Sequence, residues 1–173
     1  MDPVDPGSHA LLASSLASAE RYTEARAEYE RVIELNRSAP NSYAALGGCY
    51  LSEGKPEEAI AAAQKDVAGW ARLLTVTCAH WTQKRFAESD AALKEFIANY
   101  GETAAYQIAG AYGYRQDKDQ AFDWLERAHR QRDAGLSSLR TDTFLRPLHS
   151  DPRWNALLRS MGLADDQLKT IDQ

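Results

Sequence analysis

Apolar and small residues recur along this chain as pairs of helical stripes joined by short polar turns. From Tyr22 to Asn36, Ala25, Tyr29, Val32 and Ile33 fall at i, i+4, i+7 and i+8, while Glu24, Arg26, Glu28, Arg31 and Glu34 take the other side. That spacing predicts an amphipathic helix whose stripe is core rather than a ligand site. A nearly uncharged stretch, Ser8 to Ala19, precedes it as a first helix, with Glu20 and Arg21 in the turn. The unit then repeats. Ala25, Ala59, Ser89 and Ala121 each follow Tyr22, Pro56, Phe86 or Lys118 by three positions, at separations of 34, 30 and 32. Self-similarity at such a period predicts an array of helix–turn–helix repeats, with bounds near 6–39, 40–69, 70–101 and 102–135 and a tail over 136–173.

The second unit is the clearest. Gly54-Lys55-Pro56 makes its turn: Gly ends the first helix by taking positive φ, and Pro56 suits the first turn of the second. Glu57 and Glu58 favour that helix's N-terminus. The next link is contracted by four residues, close to one helical turn, which predicts a shortened connection and a tighter bend before Trp70–Trp81. Phe86–Tyr100 reads as a helix with Leu93, Phe96 and Ile97 inward and Gly101 as its stop, and Asp119–Gln131 as one with Ala121, Leu125 and Ala128 inward, ended by Gly135. In the tail, Leu136–Arg140 predicts a short helix and Thr141–His149 an extended loop. Asp151-Pro152 then starts a helix carrying Trp154, Leu157, Leu158 and Met161 up to Gly162. A helical array needs such an atypical end unit to cover its last apolar face.

Composition narrows the function classes. The formal charge of −5 on 173 residues gives no global field that would select nucleic acid or an anionic membrane. Seven Arg against four acids between Glu126 and Arg159 form a local basic excess, read as a solvated end cap without the aromatic interleaving of nucleic-acid sites. No apolar run approaches the ~18 residues that cross a bilayer, and the first residues lack a signal peptide's basic and apolar regions.

Catalytic frames are absent. His9, His80, His129 and His149 have no His at i+4, Ser14 and Ser15 lack a G-x-S-x-G elbow, and there is no Gly-rich phosphate loop. Cys49 and Cys78 stand apart with no CxxC and read as small buried hydrophobes, and Asp117/Asp119 and Asp165/Asp166 as solvated turns and helix starts. No enzyme activity, metal or cofactor is expected.

Tyr43, Leu46, Gly47, Tyr50, Gly54 and Ala59 fall where the tetratricopeptide repeat has its W-x2-L-G-x2-Y and later Ala positions, so the chain resembles that family. The resemblance implies an all-α fold: a right-handed superhelical solenoid of about four tetratricopeptide-like helix–turn–helix repeats with C-terminal capping helices, in a single domain. It also implies protein recognition, with first helices lining a concave groove for a peptide or partner. By position, that groove would hold Asn41 and Leu51 from the second repeat, Leu74, Cys78 and Trp81 from the third, and Tyr106 and Tyr114 from the fourth. Two readings of the aromatics stand side by side: groove lining, or packing against the tail. Ala10, Ser14 and Leu74 stand where chaperone-binding members carry a Lys/Asn/Arg carboxylate clamp, so docking of that type is not expected.

The C-terminal half, through Gln120–Leu136, Phe144–Trp154 and Ala156–Gly162, also resembles the end of bacterial multidomain regulators in which such repeats follow an adenylate cyclase or winged-helix domain. That resemblance implies a regulatory or dimerisation segment as the alternative function. Counted back from Ala25, Asp2-Pro3 stands where the family carries the Asp-Pro that closes one repeat and opens the next, which suits a fragment of a longer protein; a natural start with a chance Asp-Pro is the other reading. In a fragment, the first helix would lack a covering repeat and is a candidate for self-association. A cytoplasmic location is expected, or a periplasmic one for a part tethered to a membrane-spanning regulator.

Overall fold

A computed structural model describes residues 5–39 and 41–168, so Met1, the Asp2-Pro3 junction and Pro40 lie outside the described residues. The described residues form an all-α architecture. Helices pair in sequence order as hairpins: α1 (Pro6–Ser18) with α2 (Tyr22–Leu35), α3 (Ser42–Ser52) with α4 (Pro56–Ala63), α5 (Gly69–Thr82) with α6 (Phe86–Tyr100), and α7 (Ala105–Tyr114) with α8 (Lys118–Gln131). Two compact units divide the chain, Met1–Glu102 and Thr103–Gln173, at the joint between the third and fourth repeats. Within the first unit, α2 packs on α3, and α5 on both α3 and α4.

Each hairpin turns through one backbone motif. Glu20, Gly54, Lys84 and Gln116 adopt left-handed φ of 62°, 72°, 60° and 63°. The next residue's N–H reaches back over the turn in every case: Arg21 to Leu16 O (2.9 Å), Lys55 to Tyr50 O (2.8 Å), Arg85 to His80 O (2.9 Å) and Asp117 to Tyr112 O (3.0 Å). This pairing satisfies carbonyls that a helix end otherwise leaves open. A left-handed residue with a Cβ costs roughly 1–2 kcal/mol. Three of the four corners accept that cost, and only Gly54 announces its turn in the sequence.

The contraction in the second repeat falls on the second helix as well as on the link. α4 has 8 residues where α2 and α8 have 14 and α6 has 15. Asp66, just beyond α4, compensates: its carboxylate accepts the N–H groups of Asn41 (3.3 Å) and Ala44 (2.9 Å) at the start of α3, and of Ala68 (2.8 Å) before α5. These are donors that a helix start leaves without intrahelical partners.

Small residues let the helices of a pair approach. Ala25, Ala59, Ser89 and Ala121 are all fully buried, and the Ser89 hydroxyl donates to Thr77 O at 2.8 Å. Gly47 is needed for contact: a Cβ there would lie 2.9 Å from Thr75 Cγ2 and 3.2 Å from Ala59 O. A cluster of Leu16, Ala25 and Cys49, flanked by Leu12, Tyr22 and Tyr29, joins α1, α2 and α3. At its rim Glu53 draws together Arg26 (3.2 Å), Lys55 (2.8 Å) and Thr23 (3.1 Å).

The tail departs from the expected loop. Residues Thr143–Leu148 form a 3₁₀ helix, as do Ala134–Ser138, each led by an aspartate whose side chain caps it: Asp142 accepts from Phe144 N and Asp133 from Gly135 N. Pro147 and the short length of these segments suit this tighter helix. Leu139, Leu145 and Leu148 are fully buried and share a core with Ala109, Phe122, Leu125, Trp154 and Leu158. Gly135 does not end α8. Arg132 does, at φ 54°, whereas Gly135 makes room for the Tyr106 ring, which a Cβ would meet at 2.4 Å. Gly101 follows α6 in right-handed backbone rather than as a left-handed stop. α9 (Pro152–Ser160) begins as expected, with Asp151 accepting from Arg153 N, and a final turn, α10 (Asp165–Leu168), closes the described chain. Several of the basic residues are spoken for: Arg140 pairs with Asp165 (2.6 Å), Arg159 with Asp166 (3.0 Å), and Arg153 with Asp119 (2.8 Å) and Asp151 (2.9 Å). Asp119, Asp165 and Asp166 are solvent-exposed residues of first helical turns, as expected, and each also pairs with an arginine.

Candidate partner-binding face

Charge separates the two kinds of helix. α1, α3 and α7 contain no Asp, Glu, Lys or Arg, and α5 contains Arg72 alone. Acids and bases sit instead on α2, α4, α6 and α8. Removing ionic groups from the first helices lowers the desolvation cost of covering them with another chain.

The residues expected on that face fall into two groups. Leu51, Cys78 and Tyr106 are buried, at 4 %, 0 % and 4 % exposure, and so lie inside the repeats. Leu74, Trp81 and Tyr114 are half-buried and Asn41 is exposed. Asn41 stands before α3 at φ 67° with no side-chain capping bond.

For the fourth repeat, the tail is what the aromatics meet. Tyr106 donates its hydroxyl to Asp142 Oδ2 at 2.9 Å, and its N–H goes to Asp133 Oδ2 at 3.1 Å. The Tyr114 ring stands edge-on to Phe144, centroids 5.1 Å apart. A Cβ on Gly113 would lie 2.8 Å from Phe144 O, so the tail's second 3₁₀ helix lies directly on α7. Burial raises the Tyr106 hydroxyl pKa, and the Asp142 carboxylate adds to the rise. Asp142 is itself raised by burial, against the opposing pull of the Phe144 N–H and the Tyr106 hydroxyl. The pair is a structural contact that ties α7 to the tail.

The third repeat differs. Trp81 lies 4.7 Å from the Phe86 ring, and Phe86, the first residue of α6, is 49 % exposed. Sequence spacing marks Phe86 only as a helix start, because the same position holds Tyr22, Pro56 and Lys118 elsewhere; its exposure depends on how the corner folds.

Reactive chemistry is suppressed where it is closest to hand. Burial pushes the Cys49 thiol up to about 11 and the Tyr29 hydroxyl up to about 12, which leaves Cys49 a protonated packing group. Among the described residues no group of three or more His, Cys, Asp or Glu side chains is placed to hold a metal ion. None of their helices is long and apolar enough to cross a membrane.

Residues 6–38 and 40–65 match the tetratricopeptide repeat family. These stretches contain α1 to α4. The same turn geometry and buried small residue recur in α5–α6 and α7–α8, at Lys84 and Ser89 and at Gln116 and Ala121. Such repeats generally mediate protein–protein interactions. No curated protein matches the chain.

Proposed function

We propose that this chain is a non-catalytic interaction module that holds a protein or peptide along the first helices of the hairpins in its first unit, centred on Leu74 and Trp81. The observation that carries this reading is the near absence of charge from α1, α3 and α5, together with the partial exposure of Leu74 and Trp81 on α5. Large side chains at low entropic cost are what interfaces use as anchors. Asn41 supplies an exposed amide at the start of α3 for orienting a partner's backbone.

The test is affinity capture with wild type, Leu74→Asp and, as an outer-helix control, Glu95→Arg, each checked for helicity. Partners lost with Leu74→Asp but kept with Glu95→Arg support the reading; equal capture by both variants contradicts it.

A second reading, a self-associating regulatory segment of a larger cyclase or transcriptional regulator, rests on α1. That helix is uncharged, and its Leu11 is 74 % exposed. Light scattering over a range of concentrations distinguishes it: a dimer that Leu11→Glu dissociates supports self-association, and a monomer throughout removes it.

A further inference from the structure

We draw no further inference here: the strongest candidate, the aromatic surface patch at the corner between α5 and α6 where exposed Phe86 tilts against Trp81, carries nothing because nothing in the structure shows what covers it.

Discussion

At the left-handed corners a single side chain decides between relaxed and strained backbone. Lys84 and Gln116 hold φ of 60° and 63° without the freedom of Gly, so Lys84→Gly and Gln116→Gly should each stabilise the chain by about 1 kcal/mol, and Gly54→Ala should cost about as much. Denaturant midpoints at a fixed slope check all three. Thr77 offers a different residue-scale prediction: its Oγ1 is buried with no hydrogen-bond partner. Thr77→Val keeps the shape and removes the unsatisfied hydroxyl, which should raise stability by about 1 kcal/mol; an unchanged or lower midpoint would show that the hydroxyl is satisfied in solution. The corners also mark a limit on what residue identity reveals. Gly54 signals its turn because Gly is the residue that geometry prefers, whereas Glu20, Lys84 and Gln116 are legible only through their period relative to it.

Between elements, two aspartates do similar work. Asp66 ties the end of α4 to the start of α3, and Asp133 ties the end of α8 to the start of α7 through Ala44 N and Tyr106 N, which occupy equivalent repeat positions. Each also caps the segment that follows it. Asp66→Ala and Asp133→Ala should cost about 1–3 kcal/mol each, since three backbone donors lose their acceptor at Asp66 and two at Asp133. Asn substitutions should recover only part of that, because one amide oxygen replaces a charged pair of acceptors. Helix spans such as Tyr22–Leu35 and Phe86–Tyr100 were legible within a residue, because their apolar stripes sustain the 3.6 period over several turns. The tail segment Thr143–Leu148 was not: a 3₁₀ turn is too short to show periodicity, and what holds it beyond its Asp142 cap is the long-range bond from Tyr106 to Asp142 and the burial of Leu145 and Leu148.

For the molecule as a whole, the two tail aspartates predict opposite responses to pH. Hydrogen bonds from the Arg153 side chain and N–H lower Asp151 to about 2. Its contribution to stability is therefore complete above the ordinary carboxylate range and is lost as pH falls from about 4 toward 2. Asp142 is raised by burial, so the folded state takes up its proton first, and this group favours folding more as pH falls toward the ordinary carboxylate range. Asp142→Asn should remove that slope: the stability of the variant relative to wild type should increase from pH 4.5 to pH 7.5, and a difference independent of pH would contradict the assignment.

The repeat architecture was legible from Ala25, Ala59, Ser89 and Ala121, but the exposure of individual first-helix residues was not. Repeat position alone cannot tell that Leu51, Cys78 and Tyr106 are buried while Leu74 and Trp81 are half-buried, because the packing of neighbouring elements decides it. The central claim concerns the uncharged first helices. Its most direct measurement is photo-crosslinking to a captured partner, with a photoreactive residue placed at 74 on α5 or at 95 on α6. Adducts from position 74 and none from position 95 are the predicted result; adducts from position 95 alone would contradict the account.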